Sequence, residues 1–403
     1  MVYNNRNATR ICIVFIILLF NWLSFSSFVN TTIVDPPSSS SELNDIILRG
    51  VDGPYLFKNR KGIREVRVVS TDKEEYQIHE FLHQKNESFT FTCEVENEDK
   101  DSFTFQLRKK IKPPKTKHKQ PKKLLAISDI EGNFNAFYSL LVANKVMDKQ
   151  YNWIYGEGHL VLVGDFVDRG TNVTQCLWLI YKLEQEAEKH GGMVHFILGN
   201  HEVMNIKGMP NYADDKYLNL AKRLSGYEDQ SKAYKYLMSE QRELVKWMKS
   251  KNVIERIGNT LFVHGGLSPE LKQTNMSIKE INAFLRSRKS SVFFSNDNDE
   301  NLAKFLMGPF GPLWYRGLVG RYKSYYSKIS LKEVKGVLRF YQADHIVIGH
   351  TVVKEVSPDF EGRVYRTDIG FPPFKFSGHN QGLLIENGHF YRVNDIGDKV
   401  QLD

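Results

Sequence analysis

Five apolar stretches of this chain each run into a short polar cluster, and this repeated pattern constrains the fold most. The first three stretches, 124–130, 159–163 and 193–198, are predicted strands, and helical periodicity over 133–146 and 171–190 separates them. Apolar strands that alternate with helices are typical of an α/β core with buried sheets. We therefore predict an α/β fold.

Further strands are predicted along the rest of the chain. Residues 211–250 are largely helical, and 383–393 form a hairpin that turns at Asn387-Gly388. We expect the later strands to form a second sheet, mixed or antiparallel. Short period-2 stretches between 44 and 107 predict a small all-β module ahead of the α/β core.

The polar clusters at the strand ends consist of residue types that bind metals and phosphate. They occupy residues 128–133, 164–170, 199–202, 264–266 and 349–351. Ligands of α/β proteins bind beyond the carboxyl ends of the strands, so these five clusters can converge on one site. Carboxylate and imidazole ligands without thiolate suit manganese, iron, zinc or magnesium.

Such a site can hydrolyse phosphate esters. Two metals about 3.5–4 Å apart generate a hydroxide from bridging water and clamp a phosphoryl group, and Asp165 between two cations can bridge them. A lone His-Gly-Gly or Gly-His-Thr is a weak signal. Asp165-x-x-Asp168-Arg169-Gly170, followed about 35 positions later by Gly199-Asn200-His201-Glu202, is a specific one.

These motifs resemble the PPP superfamily of dinuclear metallophosphoesterases. Residues 164–170 match its GDxVDRG motif, 199–202 match GNHE, and 264–269 match HGGLSP. The resemblance covers roughly 124–370 and implies a calcineurin-like αββα sandwich. Within the superfamily the chain is most similar to the bacterial and Shewanella-like protein phosphatases. That similarity rests on segments 311–317, 348–351 and 363–370.

The resemblance also implies a role for each matching residue. Two divalent metals are expected, with manganese or iron favoured. The implied ligands are Asp129 and Asp165 for the first metal, and Asp165, Asn200, His264 and His350 for the second. His201 is the implied general acid, oriented by Asp168, and phosphate is bound by Arg169, Arg316 and Asn200.

Glu131 stands where the family has a histidine ligand. A glutamate can coordinate the same metal through oxygen and would favour harder cations such as manganese or iron. We therefore expect Glu131 to be a ligand of the first metal. The competing interpretations are that Glu131 points away and bonds its loop, or that the protein is a degenerate, non-catalytic phosphate-binding protein.

Charge and cysteine content exclude several other classes. The net charge is +8, but nine Lys and Arg and no acidic residue lie within 107–123. We interpret 107–123 as a solvated basic linker, with contact to a membrane surface as the alternative, and expect no nucleic-acid partner. Three cysteines in 403 residues exclude a disulfide scaffold. Cys93 and Cys176 can pair or stay unpaired.

The N-terminus predicts export. Arg6 and Arg10 precede the apolar run 11–20, so residues 1–30 are interpreted as a signal peptide or an uncleaved membrane anchor. The expected organisation continues with a stalk at 31–43, a small β module at 44–106, a basic linker at 107–123 and a metallophosphatase domain at 124–397. The compartment is a periplasm or a secretory-pathway lumen.

Together these features predict an exported, metal-dependent phosphomonoesterase that acts on a phosphorylated substrate. Phosphoprotein is the substrate class that the resemblance implies. A dinucleotide polyphosphate, or another small phosphate ester, is the alternative within enzymes. The sequence leaves the metals, the physiological substrate and the oligomeric state open.

Overall fold

A computed structural model describes residues 46–403 except 61, 72–74, 85–88, 289–296 and 321–325. The predicted signal or anchor at 1–30 and the stalk at 31–43 therefore lie outside the described residues. Within the described ranges, no helix combines the length and apolarity that a membrane crossing requires.

The strands and helices are numbered in chain order. The strands are β1 (Asp52–Lys58), β2 (Gly62–Ser70), β3 (Tyr76–Gln84), β4 (Thr90–Glu94), β5 (Ser102–Gln106), β6 (Lys117–His118), β7 (Lys123–Ile127), β8 (His159–Val163), β9 (Met193–Ile197), β10 (Ile254–Ile257), β11 (Thr260–Val263), β12 (His345–Ile348), β13 (Ser357–Asp359), β14 (Val364–Arg366), β15 (Gln381–Glu386), β16 (His389–Asn394) and β17 (Lys399–Gln401). The helices are α1 (Phe134–Ala143), α2 (Val173–Lys189), α3 (Asn200–Ile206), α4 (Asp215–Ser225), α5 (Gln230–Leu237), α6 (Glu243–Ser250), α7 (Ile278–Arg288), α8 (Asp297–Leu306) and α9 (Leu331–Tyr341).

Two six-stranded sheets form the centre of the molecule. The first has the order β17-β16-β15-β7-β8-β9, and the second has the order β13-β14-β12-β11-β10-β6. In the first sheet, β7, β8 and β9 are parallel. The second sheet is mixed, because β10 pairs antiparallel with β11 whereas β11, β12 and β14 run parallel. The predicted mixed second sheet is confirmed.

Apolar side chains fill the space between the two sheets and also cover their outer faces. Leu124 and Ala126 of β7 face the inter-sheet core together with Phe262 of β11. Leu125 and Ile127 alternate with them along the strand and therefore face the helices on the other side of the sheet. Helix α2 packs on β9, and α7 packs on β10. The result is the expected αββα sandwich.

The 381–394 hairpin belongs to the first sheet, so its predicted place in a second sheet is wrong. Strand β15 pairs antiparallel with β7, with Leu384 opposite Leu125. The turn itself is as predicted, because Asn387 and Gly388 have φ of 51° and 86°, as a type I′ turn requires. The hairpin thereby extends the first sheet on the side of β7 away from β8.

The N-terminal strands form sheets of their own, which confirms the predicted small all-β module. Strands β1, β2 and β3 form one sheet, and β4 and β5 form a hairpin. The module packs on α2, where Phe105 stacks on Trp178 with ring centroids 4.1 Å apart. Cys93 and Cys176 are both buried and unpaired.

The basic segment 107–123 is not solvated throughout, so its interpretation as a free linker is wrong in part. Its residues Lys117 and His118 form β6, which pairs in parallel with β10 at the edge of the second sheet. The backbone N–H groups of Arg256 and Gly258 donate to the carbonyls of Thr116 and His118, both at 2.9 Å. These bonds fix the segment to the core.

Candidate active site

The predicted site residues follow the carboxyl ends of neighbouring strands. Asp129 follows β7, Asp165 follows β8, Asn200 follows β9, His264 follows β11 and His350 follows β12. Three of them, Asp129, Asp165 and His350, have φ between 53° and 66°. A non-glycine residue in this left-handed region is strained, and such strain is concentrated at functional sites.

Three of the predicted metal ligands come together as one buried group. The ligand atoms of Asp165, His264 and His350 lie within 4.8 Å of one another. His264 Nε2 lies 2.9 Å from Asp165 Oδ2 and 3.2 Å from His350 Nδ1. Asn200 Oδ1 is 3.0 Å from the same nitrogen. The structure thus brings together all four predicted ligands of the second metal.

The donor atoms of this group suit a cation. His264 Nδ1 donates to the carbonyl of Val163 at 2.8 Å, so in the neutral ring Nε2 carries a lone pair towards the group. The Nε2 of His350 is buried and finds no hydrogen-bond partner among the described residues. One carboxylate, one amide oxygen and two imidazoles are an accepted ligand set for first-row divalent metals.

The pKa shifts of the two histidines also indicate a cation site. Burial, with smaller contributions from the neighbouring His264 and Arg316, lowers the pKa of His350 well below its ordinary value and keeps its ring neutral. Burial also lowers the pKa of His264, but the adjacent Asp165 carboxylate outweighs this effect and raises it. The carboxylate at the centre of the group therefore attracts a positive charge, which a metal can supply.

Asp129 lies beside this group and is joined by a residue that the sequence analysis missed. Asp129 accepts the backbone N–H of His350 at 3.1 Å. Burial and the carboxylates of Asp368 and Asp165 raise the pKa of Asp129 well above its ordinary value. Burial, with a further contribution from Asp165 and against the effect of His264, raises the pKa of Asp368 to about 7. Asp368 follows β14, so the strand-end rule that found the other residues also applied to it.

His201 and Asp168 form a hydrogen-bonded pair. His201 Nδ1 lies 2.7 Å from Asp168 Oδ2, and both side chains are buried. Burial lowers the pKa of His201, but the hydrogen bond to Asp168 outweighs it and raises that pKa. The other ring nitrogen, Nε2, lies 3.8 Å from Asp165 Oδ2. His201 is therefore held as a proton donor beside the metal-ligand group.

Two further residues position this pair and the metal-ligand loop. Asn205 donates to Asp168 Oδ1 at 2.8 Å, and Tyr234 donates to Asn205 at 2.5 Å. Glu202 accepts the backbone N–H groups of Asp165 and Phe166 at 2.9 and 2.7 Å. Helix α3 carries both Asn205 and Glu202 together with His201, so one short helix positions the His201–Asp168 pair and the loop of Asp165.

Arg169 and Glu131 form an ion pair at the edge of the site. The Arg169 side chain is 52% exposed and lies near the ring of Tyr212, which also contacts His201 at a centroid distance of 4.8 Å. Glu131 is not a member of the metal-ligand group among the described residues. Its role as a metal ligand stays a prediction, and its observed contact is with a predicted phosphate-binding arginine.

Arg316 reaches the site from the loop that follows α8. Its guanidinium donates to the carbonyl of His350 and, at 3.1 Å, to the hydroxyl of Thr351. Trp314, two residues earlier, packs edge-on against the His350 ring at 5.5 Å. The structure therefore places this arginine next to a predicted metal ligand.

Comparison with known proteins identifies the family. The model of the calcineurin-like phosphoesterases matches residues 122–354, more than half of the chain. The chain belongs to the calcineurin-like phosphoesterase family. All five strand-end residues lie within the matched region. The predicted family, fold class and enzyme class are thus confirmed.

Relatives of this phosphoesterase include named phosphatases. It is 30% identical over 270 residues to an uncharacterized protein of Schizosaccharomyces pombe, covering 62% of this chain and 72% of that protein. It is 29% identical over 231 residues to Shewanella-like protein phosphatase 1 of Plasmodium berghei, covering 57% and 61%. A solved cold-active protein-tyrosine phosphatase of a psychrophilic Shewanella species superimposes with a TM-score of 0.73 at 28% identity. That match covers 88% of this chain and 100% of the solved one.

The chain's own residues define what this phosphoesterase site can do. Asp165, Asn200, His264 and His350 fit a divalent metal, which when bound supplies Lewis acidity and an activated water. Arg169 and Arg316 can orient a phosphoryl group through charge-assisted hydrogen bonds. His201 can pass its Nε2 proton to the leaving-group oxygen while Asp168 holds the ring.

Proposed function

We propose that this phosphoesterase is an exported, dinuclear-metal phosphomonoesterase that acts on phosphoproteins. The observation that carries the proposal is the buried His201–Asp168 pair beside Asp165, His264 and His350. A proton donor next to a cation site suits an ester whose leaving alkoxide or phenoxide needs a proton. Hydrolysis at this site forms no phosphoenzyme, because the nucleophile is water.

Phosphotyrosine is included among the proposed substrates. The solved Shewanella relative is named a protein-tyrosine phosphatase, and the match covers its whole length. In this chain, the half-exposed Tyr212 ring stands beside both His201 and Arg169. An aromatic wall at the entrance can stack against a phosphotyrosine ring. The name of the Plasmodium relative supports a phosphoprotein substrate more broadly.

The proposed cofactors are two divalent metals, with manganese or iron favoured. The oxygen-rich surroundings of Asp129 and Asp368 support harder cations at the first position, and the two imidazoles support a borderline cation at the second. Elemental analysis of the purified protein, together with assays after addition of manganese, tests this part of the proposal.

The substrate class is tested by comparing four compounds on one enzyme preparation. Rates are measured with p-nitrophenyl phosphate, a phosphotyrosine peptide, a phosphoserine peptide and diadenosine tetraphosphate, with Asp165→Asn as the inactive control. We expect turnover of the first compound and of at least one phosphopeptide. Preferred cleavage of diadenosine tetraphosphate would establish the small-molecule alternative, and phosphate binding without turnover of any compound would establish a non-catalytic protein.

The proposed location is a periplasm or a secretory-pathway lumen, with attachment to a membrane if the N-terminus is not cleaved. Support comes from the basic residues Arg6 and Arg10 ahead of the apolar run 11–20.

A further inference from the structure

Three histidines and a glutamate meet away from the strand-end residues of the candidate active site. They are His118 of β6, His159 of β8, His195 of β9 and Glu255 of β10. The side chains of His195 and Glu255 are 1% exposed, and that of His118 is 7% exposed. None of the four residues has a role in the proposed reaction, and His195 precedes Asn200 by five positions.

The four residues lie at one edge of the space between the two sheets. Side chains two positions apart on a strand share a face. Ile197 of β9 and Ile257 of β10 belong to the inter-sheet core, so His195 and Glu255 face the same layer. His118 enters it from β6, the edge strand of the second sheet. An apolar layer thus contains a group of potential metal ligands.

The ligand atoms of this group lie close enough together to surround one cation after small shifts of the side chains. His195 Nδ1 lies 2.7 Å and His118 Nε2 lies 3.4 Å from Glu255 Oε2. The ligand atoms of these three residues all lie within 4.8 Å of one another. Ligands at tetrahedral positions around zinc are separated by about 3.3 Å, so three protein ligands and one water fit this spacing.

The outer partners that hold metal ligands in place are also present. A ligating histidine usually donates its second ring nitrogen to an acceptor. Here His195 Nε2 lies 3.0 Å from His159 Nδ1, which can accept from it in the tautomer of His159 that carries its proton on Nε2. Asn252 donates to Glu255 Oε1 at 2.9 Å and holds the carboxylate.

We propose that His118, His195 and Glu255 form an additional, non-catalytic site for a divalent metal of the zinc type. Its ligands come from segments 117–118, 193–197 and 254–257. A bound metal would cross-link the edge strands of the two sheets and fasten the basic segment to the core. The proposal does not depend on the substrate or metals of the catalytic site.

A hydrogen-bonded network without metal is the competing explanation. In that state, His195 Nδ1 carries the proton that it donates to Glu255. His118 Nε2 donates to the carbonyl of Lys115 at 2.9 Å and lies 3.4 Å from the same carboxylate. Both states hold the strands together, but only one depends on zinc. The test therefore measures zinc itself rather than stability alone.

The test compares the full-length protein with His118→Gln, with His345→Gln as the matched control. His345 is a partly buried strand histidine whose Nδ1 bonds the carbonyl of Gly362, outside the group. After saturation with zinc and gel filtration, we expect elemental analysis to find one zinc fewer per chain in His118→Gln than in the wild type and in His345→Gln. Equal zinc content in all three proteins would overturn the proposal.

A second measurement keeps the test decisive if His118→Gln does not fold. In His118→Cys, a thiolate can replace the imidazole as a zinc ligand. Zinc should then slow alkylation of the introduced thiol at least about tenfold, whereas magnesium, which prefers oxygen ligands, should not. Alkylation at the same rate with and without zinc would show that this group is a hydrogen-bonded network only.

Discussion

His201 is the residue whose replacement separates proton donation from metal binding. The Asp168 carboxylate lies 2.7 Å from His201 Nδ1 and raises the pKa of His201. His201→Asn should therefore lower kcat by about 10²–10⁴ for alkyl phosphates. Nitrophenyl phosphate has a leaving group that needs no proton, so the loss of kcat with this substrate should be much smaller. Metal content, measured on the same samples, should stay unchanged. An equal loss for both esters would remove His201 as the general acid.

Glu131 is the residue at which this chain departs from its family, and its contact with Arg169 gives a definite expectation. Glu131→Gln should keep the full metal content, because the observed partner of the carboxylate is a guanidinium. The Arg169 guanidinium is then no longer held by an exposed ion pair and no longer neutralised by it, two opposing effects, so inhibition by inorganic phosphate should change by about fivefold or less. Phosphate inhibition and elemental analysis measure the two effects.

The reference for this experiment is Arg169→Ala, which removes the guanidinium itself and should weaken phosphate inhibition more than Glu131→Gln does. Loss of one metal per chain in Glu131→Gln would instead establish the ligand role that the sequence predicts.

Single residues also show where sequence reasoning reached its limit. The strand-end rule predicts that Asp165, His264 and His350 come together, and they do, because the residues after parallel strands meet at one edge. It passed over Asp368, although 364–367 is a predicted strand and Asp368 comes directly after it, because only the clusters with more than one ligand-type or glycine-flanked residue were selected. The His118–His195–Glu255 group was invisible for another reason. His118 and Glu255 become neighbours only through the pairing of the unpredicted strand β6 with β10, and His195 joins them only through the packing of the two sheets.

At the scale of elements, the turn into α3 explains why glycine precedes Asn200. A Cβ on Gly199 would collide with the carboxylate and backbone of Asp165, although the φ of −88° suits any residue. Gly199→Ala should therefore lose metal and most activity by steric displacement of Asp165. Gly370→Ala is the matched control, because a Cβ there meets nothing within 4 Å. Normal metal content in Gly199→Ala would show that the loop can shift without damage.

The same scale shows which elements the sequence predicts well. The predicted bounds of β8 are the observed ones, and those of β7, β9, α1 and α2 agree to within a few residues. These elements are long apolar or amphipathic runs, which are easily recognised in a sequence. Strand β6 was missed, since its two residues lie among lysines and are extended only through pairing with β10. The sheet assignment of β15 failed because its partner, β7, is more than 250 residues away in the sequence.

At the scale of the whole molecule, folding stability should depend on whether the catalytic metals are present. Without metal, the raised pKa of Asp368, about 7, means that the folded state prefers the protonated acid. The contribution of Asp368 to the free energy of unfolding is fully present at low pH and is lost as the pH rises through about 7. Between pH 6 and 8, the chelator-treated wild type should lose about 1 kcal/mol of unfolding free energy relative to Asp368→Asn. Urea denaturation measures this difference.

The metal-loaded proteins provide the control for that measurement. A bound cation offsets the repulsion between Asp368 and Asp165, so the pH-dependent difference between the wild type and Asp368→Asn should shrink. A chelator-treated wild type with the same pH dependence as Asp368→Asn would show that Asp368 keeps an ordinary pKa.

The proposed export of the whole protein rests on its first residues and gives a prediction that full-length chains can test. A basic start followed by about ten apolar residues directs secretion, because the apolar run must enter the membrane during translocation. A reporter that is active only in an oxidising compartment, fused after Asp403, should therefore be active. Replacement of Ile16 and Leu18 by arginine introduces two charges into the apolar run and should abolish that activity. Equal reporter activity in both fusions, or activity only of a cytoplasmic reporter, would contradict export.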